Sequence, residues 1–169
     1  MAGIFVAAFF FVFSTNSSFA CSRMVKFSFD ELFQADIIVR AVANRYVKGP
    51  DPTTRTTGLP DSLVEFEVEE VLKGNNVPKA IVLNGYLSTE DDFNDQKAPY
   101  TFVRPNGRSG SCFANTYKQG ASFLLFMKKT ESGYTSNISA LGPSNEQLHD
   151  TDDPWLLWTR KEIKKRSGK

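Results

Sequence analysis

Apolar positions along the chain follow the patterns expected of β-strands. In the stretch LVEFEVEEVL, Val64, Phe66 and Val68 alternate with glutamates, which is typical of a strand with one buried face. The stretch SFLLFM is almost continuously apolar, as in a buried strand, and KKTESG after it has the composition of a turn. Strands are predicted at residues 35–47, 63–72, 79–83, 122–127 and 134–141.

Two short helices are predicted at the ends of this strand-rich region. Residues 28–31 (SFDE) have the pattern of a capping box, which opens a helical turn reaching residue 33 or 34. Residues 155–165 place two tryptophans, Leu156 and Ile163 on one side of a helix and basic residues on the other.

The order of these elements predicts a mainly β domain. Polar, turn-rich stretches at 48–61 and 88–110 separate the strands. Five strands with short flanking helices fit a barrel of the oligonucleotide/oligosaccharide-binding type. A two-sheet sandwich is the alternative architecture.

The first twenty residues have the features of a secretion signal. Residues 4–13 are apolar but too short to span a bilayer, which requires about 20 residues. Ser18 and Ala20 are the small residues that a signal peptidase accepts before a cut. We therefore expect residues 1–20 to be removed and the mature, secreted chain to begin at Cys21. Lipid attachment to Cys21 is the alternative, but Ser18 stands where lipoprotein signals usually carry an apolar residue.

The remaining chain has the size of one domain and almost no net charge. Twenty Lys and Arg residues balance nineteen Asp and Glu residues, which leaves no field for nucleic acid. We expect a monomeric domain at residues 21–145, without a transmembrane segment. Residues 146–169 are expected to form a helical basic tail, which could contact a matrix polysaccharide or anionic lipid.

No motif in the sequence indicates an enzyme, a cofactor or an intrinsic metal site. His149 is the only histidine, and HExxH, CxxC and phosphate-loop patterns are absent. Acidic clusters at 91–95 and 150–153 lack the spacing of a calcium-binding loop and are better explained as solvated loop charge. Asn137 begins an Asn-Ile-Ser glycosylation sequon.

The two cysteines carry the remaining chemistry. Cys21 and Cys112 both lie in the expected mature chain, and in an oxidising compartment they should pair. The disulfide would close a loop of about 90 residues and contribute roughly 4–5 kcal/mol by the chain-entropy account. It would also tie down the first mature residue.

Several stretches together resemble the netrin-like module family, and more narrowly its tissue inhibitor of metalloproteinases branch. The resemblance covers residues 21–145 and rests on the first mature cysteine, ADIIVRA, EFEVEEVLKG, GSC and the hairpin GASFLLFMKK–GYTSNISALGP. It implies a five-stranded barrel. It also implies that Cys21 and Cys112 match the paired cysteines of the family inhibitors, whose terminal cysteine is presented to the zinc of a protease.

The resemblance implies a specific inhibitory site. The amine and carbonyl of Cys21 would chelate the zinc of a secreted metalloprotease, and Ser22 would enter the adjacent pocket. Gly110 and Ser111, beside Cys112, would form a contact loop. Arg23 stands where family inhibitors have a second cysteine, so a non-inhibitory secreted binding module is the alternative.

Overall fold

Antiparallel strands make up most of the described chain. A computed structural model describes residues 29–53, 60–91, 94–95, 108–109, 115–136 and 145–168. Its strands are β1 (Ile37–Lys48), β2 (Leu63–Lys73), β3 (Ala80–Asn84), β4 (Tyr86–Ser88), β5 (Asn94–Asp95), β6 (Arg108–Ser109), β7 (Thr116–Lys118), β8 (Ser122–Thr130), β9 (Gly133–Ser136) and β10 (Glu146–Leu148). Its helices are α1 (Phe29–Leu32) and α2 (Pro154–Ser167). The prediction of a mainly β fold is confirmed.

Six of the described strands form one antiparallel sheet around β1 and β8. The order is β10-β8-β1-β2-β3, and β9 pairs with the same edge of β8 as β10. In the central pair, Ile37 lies opposite Met127 and Val42 opposite Ser122. Strands β4 and β7 form a separate parallel pair, as do β5 and β6. No ladder between described residues closes this sheet into a barrel.

Strand β8 and the first residues of β1 are buried on both faces of the sheet. Side chains alternate between the faces along a strand, so these two strands contribute to a core on each side. The helix-side core contains nine buried residues: Leu32, Phe33, Ala35, Ile38, Leu124, Phe126, Leu148, Trp155 and Leu156. The opposite core contains twelve: Ile37, Val39, Ala41, Ala43, Val64, Phe66, Ile81, Leu83, Tyr117, Phe123, Leu125 and Met127. Strand β8 therefore supplies side chains to two separate cores.

Helix α2 packs against the sheet by the side predicted from the sequence. Asp153 caps it by accepting a hydrogen bond from the backbone N–H of Trp155 at 2.9 Å, and Pro154 begins the helix. Trp155 and Trp158 stack with their ring centroids 5.1 Å apart. Arg160 pairs with Glu70 on β2, at 2.6 Å and 3.2 Å. The helix predicted at 155–165 is confirmed, and it is longer by a residue at the start and two at the end.

The hairpin between β8 and β9 turns later than the sequence suggested. Strand β8 continues through the two lysines of KKTESG to Thr130, and only residues 131–132 form the turn. Gly133 follows with φ +138°, a conformation that favours glycine. The return strand is described as far as Ser136, so the rest of its expected range, 137–141, lies outside the described residues.

Five short strands were not predicted. Strand β4 ends at the first residue of the expected 88–110 loop, β5 and β6 lie inside that loop, β7 follows it, and β10 lies in the segment expected to be a helical basic tail. β4, β7 and β10 have three residues each, and β5 and β6 have two. None of the helices in the described residues is long and apolar enough to cross a membrane.

Candidate functional site

The residues of the predicted inhibitory site all lie outside the described part of the chain. They are Cys21, Ser22, Gly110, Ser111 and Cys112, together with the sequon residue Asn137. The structure describes a segment that follows each of the two cysteines. The amino-terminal arm, residues 29–36, follows Cys21, and β7 follows Cys112.

Lysine side chains hold the amino-terminal arm to the sheet. Lys73 Nζ donates hydrogen bonds to the carbonyls of Phe33 and Ala35, both at 2.7 Å. Lys128 Nζ donates to the carbonyl of Gln34. Lys73 lies on β2 and Lys128 on β8, so these bonds attach the segment that directly follows α1 to both strands.

Burial, hydrogen bonding and nearby charges shift the pKa values of Lys73 and Asp36 at the arm. Burial lowers the pKa of Lys73, and the neighbouring Lys128 lowers it further. The backbone N–H of Lys129 donates to Asp36 at 2.8 Å and lowers the pKa of that carboxyl. Asp36 therefore stays ionised beside Lys128, 3.6 Å away.

Aromatic contacts fix the other side of the arm. The Phe33 ring packs edge-on against Phe126, with centroids 6.1 Å apart, and lies 5.7 Å from Trp158. The Arg166 guanidinium lies 4.5 Å above the Phe33 ring and pairs with Asp30 at 2.9 Å. Helix α2 and the sheet thus hold the arm between them.

On the Cys112 side, Tyr117 anchors β7 in the opposite core. Its ring packs edge-on against Phe66 and Phe123, with centroids 4.7 and 5.2 Å apart. Its hydroxyl accepts a hydrogen bond from Asn145 Nδ2 at 3.3 Å. Burial raises the pKa of Tyr117 to about 12, so the phenol is neutral at physiological pH.

Gly85 allows β4 to lie close to β7. A Cβ at Gly85 would stand 2.4 Å from the Tyr117 ring and 2.8 Å from the carbonyl oxygen of Asn115. The buried Ser62 hydroxyl donates to the Gly85 carbonyl at 2.6 Å and holds this junction from the other side. Asn115, three residues after Cys112, is therefore part of a tightly packed junction.

An open groove of about 630 Å³ lies beside β4 and β7. It is lined by Arg45, Tyr46, Leu87, Ser88, Thr89, Glu90, Thr116 and Gln119. The Tyr46 hydroxyl accepts a hydrogen bond from the backbone N–H of Leu87 at 2.7 Å, which joins β1 to β4. This groove could not be predicted from the sequence, because its lining comes from three segments that are separated along the chain.

One residue of each acidic cluster, Asp91 and Asp153, accepts hydrogen bonds that join parts of the fold. Asp91 accepts from Lys118 Nζ at 2.7 Å and from Gln147 Nε2 at 2.6 Å, and these bonds lower its pKa. Asp153 caps α2 and also accepts from the backbone N–H of His149. Within the described ranges, no group of His, Cys, Asp or Glu is arranged to hold a metal ion.

No protein-family model matches the chain, and no curated protein is similar to it at a significant level.

Proposed function

We propose that this chain is a secreted inhibitor of zinc metalloproteases that binds the protease zinc through Cys21. The observation that carries the proposal is the attachment of the amino-terminal arm by Lys73, Lys128 and Arg166. Chain termini are usually loosely held. An arm that is fixed to the sheet, and whose first attachment to α2 lies nine residues after Cys21, suits a terminus that must be presented rigidly to another protein.

The strand connections support a closed five-stranded barrel made of β1, β2, β3, β8 and β9. Strand β1 lies between β2 and β8, and β8 forms a hairpin with β9, which leaves β3 and β9 as the strands that must meet. Leu83 and Asn84 on β3 line the same small cavity as residues 134–136 on β9. The seam of the proposed barrel lies there.

The packing of the two flanking segments is compatible with a Cys21–Cys112 disulfide. Phe33 packs on Phe126, and Tyr117 packs on Phe123, three positions away on the opposite face of β8. A three-residue rise and one sheet thickness put these anchors roughly 15 Å apart. Eight residues before α1 and three before residue 115 together span up to about 35 Å, which is sufficient.

The chemistry of the proposed contact follows from the first mature residue. Its amine nitrogen and carbonyl oxygen form a five-membered chelate ring with a zinc that keeps an open coordination position. The amine must be neutral to donate its lone pair, which is inexpensive near neutral pH because an α-amino pKa is about 8. Ser22 would then enter the neighbouring pocket of the protease.

Adding one alanine before Cys21 tests this mechanism. The addition moves the chelating pair away from the zinc and leaves the fold unchanged. We expect affinity for a susceptible secreted metalloprotease to fall by more than about 2 kcal/mol, about 30-fold, without a change in Tm. The matched control adds one alanine after Lys169. Equal inhibition by both extended proteins would contradict the mechanism.

A non-inhibitory binding module of the extracellular matrix is the second candidate. The observation that favours it is the outward side of α2, where Lys161, Lys164 and Lys165 are exposed while the other side packs on the sheet. Such a row of bases fits a sulfated polysaccharide. A module of this kind would keep its partner after alanine is added before Cys21, and it would lose the partner when the three lysines are replaced by alanine.

A further inference from the structure

A small cavity lies between the strands β3 and β9. Its volume is about 30 Å³, and its lining comes from Leu83, Asn84, Asn115, Tyr117, Tyr134, Thr135, Ser136 and Asn145. One water molecule needs about 10–15 Å³ of such volume. The cavity therefore has room for one water, or at most two, and for no larger ligand.

Asn145 gives this cavity an unused acceptor. Its side chain is buried, with 5% of the residue exposed, and its Nδ2 donates to the Tyr117 hydroxyl. Its Oδ1 is buried and has no hydrogen-bond partner among the described residues. Buried carbonyl oxygens are nearly always hydrogen-bonded, so a donor is expected beside this atom.

The chemistry of the lining selects a neutral donor. The polar residues around the cavity are amides, hydroxyls and phenols, and none carries a charge at neutral pH. Burial keeps the phenol of Tyr117 protonated, because it raises the pKa of Tyr117 to about 12. An ion would enter without a counter-charge, at a high desolvation cost, whereas a water would not.

We propose that one ordered water occupies this cavity, donates a hydrogen bond to Asn145 Oδ1 and bridges β3 to β9. The water would connect the two edge strands at a position where no backbone ladder joins them in the described chain. It would lie beside the direct hydrogen bond between Asn145 and Tyr117, so residues of β3, β7 and β9 would meet at one hydration site. This inference is independent of any protease partner.

A high-resolution crystal structure of the purified protein tests the proposal. We expect a density peak within hydrogen-bonding distance of Asn145 Oδ1 that persists unchanged after a rubidium chloride soak. A rubidium anomalous peak at that position would show a monovalent cation and overturn the proposal. A protein donor bonded directly to Asn145 Oδ1 would overturn it as well.

The variant Asn145→Leu, with a matched control at Thr135, tests the role of Asn145 itself. Asn145→Leu removes the amide at similar volume, so the water peak should disappear and Tm should fall by several degrees. Thr135→Ala, on an exposed part of the lining, is the matched control and should keep both the peak and the Tm. A water that remains in Asn145→Leu would contradict the assignment.

If that variant does not fold, nuclear Overhauser effects between water and the Asn145 side-chain amide in the native protein decide the question, and their absence would refute the bound water.

Discussion

Gly85 occupies a position where even the methyl group of alanine would crowd its neighbours. Gly85→Ala should lower the free energy of unfolding by about 1–3 kcal/mol, because its methyl group would stand 2.4 Å from the Tyr117 ring. The measurement is urea unfolding followed by intrinsic fluorescence.

Gly49→Ala is the control for this substitution. A Cβ at Gly49 has nothing within 4 Å, so its effect should stay within about 0.5 kcal/mol. Equal stability of the two variants would show that β4 and β7 are packed less closely than described.

Asp91 should contribute to stability in an acid-sensitive way. Its folded pKa is lowered by hydrogen bonds from Lys118 and Gln147, so its contribution is present above the unfolded pKa of about 3.9. That contribution is lost as pH falls through the folded value. Native protein should therefore lose more stability between about pH 5 and about pH 3 than the Asp91→Asn variant does.

Thermal unfolding across this pH range, with Glu90→Gln as the control, checks the acid prediction. Glu90 is the exposed neighbour of Asp91, and its replacement should leave the pH dependence of the native protein unchanged. Parallel curves for native and Asp91→Asn protein would mean that the bonds to Lys118 and Gln147 do not stabilise the fold.

At the scale of elements, α2 provides a prediction with a control in the adjacent residue. Leu156 is fully buried in the helix-side core, whereas Leu157 is 47% exposed. Leu156→Ala should cost about 2–5 kcal/mol of unfolding free energy, and Leu157→Ala about 0.5 kcal/mol or less. Both substitutions change helix propensity equally, so their difference, measured by denaturant titration, reports packing on the sheet. Equal losses would place α2 away from the sheet.

The long elements could be predicted from the sequence because each repeats its pattern several times. β1, β2, β3 and α2 begin and end within two residues of the predicted limits. The three-residue strands β4, β7 and β10 could not be predicted, since three residues establish no period. In β10, Glu146 and Gln147 are polar yet buried, so nothing in their composition distinguished them from the predicted helical tail.

The surroundings of the candidate site were less predictable than the strands. Lys73 binds carbonyls 38 and 40 positions earlier in the chain, and no local pattern indicates such a contact. The contact of Gly85 with Tyr117 also depends on how two distant segments pack. Cys21 and Cys112 could be selected as candidate site residues from the sequence alone, because the chain has only two cysteines and a cleavage motif precedes the first. Their pairing stays a prediction.

At the scale of the whole molecule, the predicted disulfide should dominate stability. The Cys21→Ser/Cys112→Ser double variant should lose roughly 4–5 kcal/mol of unfolding free energy, because its unfolded chain regains the freedom of a loop of about 90 residues. Calorimetry of the native and double-variant proteins measures the loss. Peptide mapping without reductant is the control, and two free thiols in the native protein would contradict the pairing.

The two-sided burial of β8 has a consequence for how the strand finds its place during folding. A shift of one residue usually exposes the apolar side of a strand to water, and this penalty enforces the correct alignment. In β8, the same shift would only exchange Phe123, Leu125 and Met127 for Leu124 and Phe126 between two apolar environments. The burial of apolar side chains therefore does not distinguish the correct register of β8 from a register shifted by one residue. The alignment depends instead on the polar residues at the ends of the strand. Ser122, bonded to Glu69, and Lys128, bonded to the arm, act as the position markers.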